Sequence, residues 1–240
     1  MSNFQKLNNV DHASLKVIPN YSEALGDSTM FTVAFPNEMR ALQSCYPLLF
    51  FRDKQSDRFF PIALQGFEEG ENLFLDASGW QAPVIPMMVQ RGPFMLSIEH
   101  SSTGQAAQTV VAIDLEHPKI SESHGDPLFL EHGGHSDYLD RVVGLLEAIK
   151  MGNEQTEQFV EALTSLDLIT PIELKITLDN GVPHQLVGFY AIDDEKLQTL
   201  PATQLTALQS SGWLLPVYMM VASMSQLKGL ITRKNARIKQ

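Results

Sequence analysis

The chain has 240 residues, 44% of them hydrophobic, enough to bury the core of one large domain or two small ones. Seventeen basic residues stand against 28 acidic ones, and the formal net charge of −11 repels phosphate backbones at long range, which sets nucleic acid aside as a main partner. Apolar stretches such as residues 213–222 stop near about ten residues, half of the ~20 that span a bilayer, so no membrane insertion is expected. Asn8, Asn9, Asp11 and His12 stand where a signal peptide would carry its apolar run. The single Cys45 has no disulfide partner and reads as a small core filler. A cytoplasmic protein is the expectation.

Residues 1–30 read as a polar lead with one strand-like piece at 15–18, ended by Pro19. Residues 29–35 suit a strand, and Asn37 caps a short helix reaching Ser44 or Cys45. Residues 46–51 and 58–67 form a hairpin about the polar turn 52–57. An acidic loop at 68–72 follows, then Leu73-Phe74-Leu75 and a turn ending in Gly79. Pro83 and Pro86 each remove a backbone donor, leaving room for one helical turn at most. Residues 94–99 and 108–115 read as strands joined by a hairpin loop at 101–105.

Residues 116–136 turn polar, punctuated by Pro118, Gly125, Pro127, Gly133 and Gly134. Ser136 then caps a helix in which Leu139, Val142, Val143, Leu146 and Ile149 fall three or four apart, and Gly152 is a natural stop. A second helix restarts at Asn153 through Phe159, Val160, Leu163 and Leu166, so the expectation over 137–167 is an αα-hairpin. Residues 172–178 and 185–192 pair across Asp179-Asn180-Gly181, the strongest short turn signal in the chain. A helical turn at 194–197, a short helix at 201–210 and a helix over 214–230 complete the body. The basic run Arg233, Lys234, Arg237 and Lys239 reads as a solvated, frayed terminus, with docking to an acidic partner as the alternative.

Both tryptophans sit in one phrase, Gly-Trp-x-x-Pro-Val, at residues 79–84 and 212–217, each followed by Met-Met-Val. Each copy is preceded by a Gly-Phe pair, Gly66-Phe67 and Gly188-Phe189. A degenerate internal repeat follows from this. The expected fold is α+β: an antiparallel sheet built from two hairpin-containing pseudo-repeats, about 29–115 and 172–230, with the αα-hairpin between them. The whole of 1–240 is read as one domain.

Tyr46-Pro47, then Gly70-Glu71-Asn72-Leu73-Phe74, Gly79-Trp80 and the corner Arg91-Gly92-Pro93-Phe94 together resemble the SapC family of bacterial proteins. Pro127-Leu128-Phe129 and the Lys196 to Pro201 phrase extend the resemblance from about Asn20 to Leu230. It implies a modest function. Family members are often encoded beside cupin-type oxygenase homologues, flavin-dependent halogenase-like proteins and TonB-dependent receptors, which implies an accessory role around a peptide or small substrate. This chain has Gln90-Arg91-Gly92 where the family commonly doubles a basic pair, and that weakens any anion site built on the pair.

The chain carries no Gly-x-Gly-x-x-Gly, Walker loop, Cys-x-x-Cys or Gly-x-Ser-x-Gly. The candidate ligand-binding residues are Arg91, Asn72, Glu71, Trp80 and Trp213. A guanidinium holds a carboxylate bidentately, although Arg91 equally suits a loop-fixing pair with a glutamate such as Glu71. The indoles and their methionines suit either an apolar groove or core packing. Glu68, Glu69 and Glu71 read as a solvated turn before a catalytic pair. Only His132, His135 and Asp137 have spacing that a metal could use, and they carry the rival reading of a metal-dependent enzyme. The leading expectation is a non-catalytic accessory protein without a cofactor, presenting a peptide or small carboxylate to a partner enzyme. A surface-layer or export accessory role is the third reading.

Overall fold

The computed structural model describes residues 3–99 and 108–239. The loop expected at 101–105 lies outside the described residues. The protein is mixed α and β with several antiparallel sheets. It divides into two compact units, Met1–Asp27 with Val89–Met151, and Ser28–Met88 with Gly152–Gln240. Each has its own hydrophobic cluster.

The second unit is organised by a five-stranded antiparallel sheet. Its spatial order is Ile169–Thr177, Pro183–Ile192, Leu48–Arg52, Phe59–Leu64 and Phe31–Val33. Leu48, Leu49 and Phe50 are almost wholly buried, as befits the middle of a sheet covered on both sides at that point. The long edge strand Ile169–Thr177 carries Pro171, Glu173 and Lys175 at exposed positions, a composition that discourages edge-to-edge pairing. At the turn expected from Asn180-Gly181, Gly181 takes a left-handed φ of 78° and donates its N–H to Leu178.

The first unit contains a three-stranded sheet in the order Phe4–Lys6, Gln108–Asp114, Phe94–Glu99, and a small one in which Lys16–Val17 lies between Ile120–Ser121 and Asp126–Pro127. Its core gathers Phe94, Ile113, Leu128 and the helical residues Leu139, Val142 and Leu146. Ser136 caps that helix, its Oγ accepting the Leu139 N–H at 3.1 Å.

The αα-hairpin expectation is corrected: Asp137–Ser165 is one helix of 29 residues. Gly152, a natural stop by its chemistry, makes no turn and lies inside the helix. A Cβ at Gly152 would lie 2.7 Å from the Phe35 Cβ, so the glycine admits a close approach, and its helix-weakening cost of ~1 kcal/mol is met by packing. The division between the two units falls at this residue.

The two Gly-Trp phrases share a left-handed glycine, φ 106° at Gly79 and 80° at Gly212. They then enter different structure. Gly79–Trp80 is a two-residue strand paired with Leu75–Asp76, whereas Trp213 leads into the helix Leu214–Ser223.

That helix also lengthens the apolar run. Met224–Gln226 forms a 3-10 turn and Leu227–Ile238 continues, all in right-handed helical conformation. The run Leu214–Ile238 is therefore long and apolar enough, by length and composition alone, to cross a membrane, where stretches ending near ten residues had been expected. Its inner face is packed: Val217, Met220, Ser223, Leu230 and Lys234 are buried. Ser223 Oγ accepts the Leu48 N–H at 2.8 Å and donates to the Met220 carbonyl at 2.6 Å, tying the helix to the sheet by a side chain with no exposure.

Candidate functional site

Successive residues of a strand point to opposite faces, and the second unit's sheet uses this to sort its aromatics. Tyr190 pairs with Phe50. With Phe59 they belong to the covered face, where Phe159 of the long helix stacks on Phe50 at a centroid distance of 6.2 Å. One residue along, Phe189 pairs with Phe51. Phe31, Phe51 and Phe189 cluster at centroid distances of 5.1, 5.8 and 6.1 Å and floor an open groove of about 710 Å³ whose wall includes Phe67, Val187 and Glu69. The open part of an antiparallel sheet's face is ordinarily polar; where this face opens, beside the buried Leu49, Ile62 and Leu64, it is aromatic.

The phenylalanines of both Gly-Phe pairs line this groove, and each glycine is required for its own reason. At Gly66 a Cβ would come within 2.4 Å of the Glu71 carbonyl oxygen, so only glycine allows that approach. Gly188 takes φ 85° in a bulge, where Val187 and Gly188 stand opposite the single residue Glu173. The bulge leaves Val187 64% exposed at the groove.

Glu71, Asn72 and Trp80 are held by their own chain. Asn72 is buried and its Oδ1 accepts the Phe74 N–H at 2.9 Å. Glu71 accepts the Phe67 N–H at 2.8 Å and pairs with Lys234 at 2.6 Å; Lys234 also reaches Glu68 at 3.0 Å. Arg233 donates to the Gln81 carbonyl and lies over the Phe74 ring, and Arg237 donates to the carbonyls of Asn72 and Leu75. The basic run is thus no frayed terminus. It is a clamp in which Lys234 pairs with Glu68 and Glu71, Lys239 pairs with Asp179 at 2.7 Å, and the two arginines hold backbone carbonyls. Trp80 donates Nε1 to the Tyr46 hydroxyl at 2.9 Å, which donates to the Val84 carbonyl at 2.5 Å.

Beside this relay, Glu38 accepts the Met87 and Phe35 N–H groups at 2.9 and 3.2 Å. Burial outweighs those two donors and raises its pKa from 4.5 to about 7. The folded state then binds the extra proton, so stability contributed below pH 4.5 is lost as pH rises to about 7, on the order of 3 kcal/mol. Urea unfolding across that window should show the slope in the wild type and a flatter profile in Glu38→Gln; identical profiles would refute it.

Trp213 packs on Phe159 at 5.7 Å and borders a separate cavity of about 340 Å³ with Arg40 and Met219. Arg91 lies in the first unit and folds back on its own corner, Nη1 donating to the Phe94 carbonyl at 2.8 Å. Among the described residues its buried Nε has no hydrogen-bond partner, and burial lowers its pKa. Arg91 and Glu71, which the sequence offers as a loop-fixing pair, belong to different units. Of the five candidate ligand residues, four therefore fall in the second unit and Arg91 in the first.

A family model described as SapC matches residues 7–230. The chain belongs to the SapC family. No curated protein and no solved structure matches it significantly. The SapC landmarks Tyr46, Phe74 and Trp80 lie together, with Tyr46 and Phe74 rings 4.5 Å apart, so these positions are accounted for by packing and hydrogen bonding.

The histidine loop does not assemble as its spacing suggested. His132, His135 and Asp137 are exposed, and His135 Nδ1 instead faces Asp140 at 3.1 Å. Among the described residues no group of three His, Cys, Asp or Glu side chains is placed to hold a metal ion. What sequence reasoning missed is the aromatic face: Phe31, Phe51 and Val187 carry no motif, and only the Gly-Phe pairs marked its position.

Proposed function

We propose that this SapC-family chain is a non-catalytic, cytoplasmic accessory protein that holds a peptide for a partner enzyme of the oxygenase or halogenase kind. One observation carries the reading: the phenylalanine-floored groove includes Phe31, at the strand Phe31–Val33 where the sheet ends. Met30 and Ala34 bond toward the neighbouring strand, Gln65 to the Met30 carbonyl and Ala34 to that of Pro61. By strand alternation the main-chain groups of Phe31 and Val33 face outward. An extended peptide adding at that edge gains main-chain hydrogen bonds and places a side chain over the phenylalanines, the usual division between affinity and specificity in strand addition. The polar rim of Ser28, Thr29 and Gln185 suits the peptide backbone. Among the described residues that line this groove the one charge is Glu69, which offers a small carboxylate no cation, so the peptide is the ligand the groove favours.

The test is selection of random peptides on the full chain. Peptides carrying a large apolar or aromatic residue should be enriched and bind at least about tenfold more weakly to Val187→Glu, which changes an exposed side chain only. Failure to enrich any sequence over the variant would overturn the proposal.

A further inference from the structure

The first unit contains a cavity of about 250 Å³ bordered by Tyr21, Lys119, Asp126, Tyr138 and Arg141, below the ~300–1,000 Å³ of sites for larger ligands. Its charges divide into two kinds. Lys119 and Asp27 form a closed pair at 2.8 Å, both nearly buried, with the ammonium 4.1 Å from the Tyr21 ring centroid. Asp126 and Arg141 border the same cavity with opposite charges, and among the described residues neither side chain has an ion-pair or hydrogen-bond partner. Asp126 is half-buried and Arg141 exposed, and they form no ion pair with each other, which leaves both charges open to a ligand that enters the cavity.

The scaffold fixes the strand that carries Asp126. Asp126 sits in the short strand Asp126–Pro127, and the preceding Gly125, φ 109°, packs so closely on Val17 that a Cβ would meet its carbonyl oxygen at 2.4 Å. Arg141 and Tyr138 lie one turn apart near the start of the capped long helix. Val142 and Leu145 continue the same helical face, and with Ile18 and Pro19 they give the cavity an apolar wall. Burial raises the Tyr138 pKa, which keeps its phenol a donor.

We propose that this cavity binds a free α-amino acid with an apolar side chain. The Arg141 guanidinium takes the carboxylate, assisted by the Tyr138 hydroxyl, Asp126 takes the ammonium, and the side chain lies on Val142, Leu145 and Ile18. A zwitterion satisfies both unpaired charges at once, whereas a simple anion would meet Asp126 and a simple cation would meet Arg141. The site belongs to the first unit and stands independently of the peptide groove.

Calorimetric titration of the full chain with L-leucine, L-methionine and L-phenylalanine tests it, with N-acetyl-L-leucine and L-leucinamide as probes lacking one charge each. At least one free amino acid should bind, and the two blocked leucines should bind at least tenfold more weakly than leucine. Arg141→Gln and Asp126→Asn, both away from the buried core, should each weaken binding at least tenfold while leaving the melting temperature within about 2 °C of wild type. In Asp126→Asn, leucine and N-acetyl-L-leucine should converge in affinity. Absence of binding by all three amino acids, equal binding of the blocked forms to wild type, or full affinity in both variants would overturn the assignment.

Discussion

Replacing Phe159 with Ala is expected to destabilise the second unit by ~3–5 kcal/mol, the range for truncating a fully buried phenylalanine. Phe159 has no solvent exposure, stacks on Phe50 at 6.2 Å and packs on Trp213 at 5.7 Å. It therefore joins the long helix, the central strand Leu48–Arg52 and the second tryptophan phrase in one contact. Helix propensity rises slightly in the change to Ala, so any loss reports packing alone. Urea denaturation should show a lower midpoint, and the melting temperature should fall by roughly 10 °C for a unit of this size. A loss under about 1 kcal/mol would mean that the helix is not seated on the sheet as described. Phe51→Ala is the informative comparison, because Phe51 is half-exposed in the groove and should cost less than half as much.

The second large effect concerns the buried ion pair of the first unit. Lys119→Met should cost ~3–5 kcal/mol, since it strands the Asp27 carboxylate, 8% exposed, without its cation. Asp27 also accepts the Ser22 N–H at 2.9 Å, which a neutral amide still does. The double variant Asp27→Asn with Lys119→Met should accordingly recover at least half of the loss. Chemical denaturation of the two singles and the double completes a cycle. Additive losses would show that the two groups do not depend on each other.

Much of the sheet was legible because alternation and turn chemistry act locally. The Asn180-Gly181 turn, the pairing of the strands around 48–52 and 59–64, and the Ser136 cap all rest on residues within a few positions of one another. What was not legible depends on distant contacts. Gly152 carries the chemistry of a helix stop and serves as a gap for Phe35, 117 residues earlier; no local pattern separates the two roles. Lys234 and Arg237 look solvated until the loop at 68–72 is placed beneath them. The side chains of Glu71 and Asn72 have the chemistry of ligand-binding groups, and the fold uses it on its own backbone and on the clamp. The groove was half visible: the Gly-Phe pairs stood out as repeated marks, but their convergence with Phe31 and Phe51 requires the strand order. Asp126 and Arg141 are ordinary charges in sequence, and only their shared place on one cavity distinguishes them.

Both units are discontinuous in the chain, and this governs how the protein is made on the ribosome. Strands Leu48–Arg52 and Phe59–Leu64 emerge as an aromatic hairpin long before Pro183–Ile192, the strand that neighbours Leu48–Arg52 in the finished sheet. At ~5–20 residues per second, that interval lasts roughly ten seconds. Throughout it, Phe50, Phe51, Phe59 and Phe60 are exposed on a nascent chain that can find other nascent chains. Slower translation at low temperature, or a co-expressed holdase, should therefore raise soluble yield without changing the stability of the purified molecule.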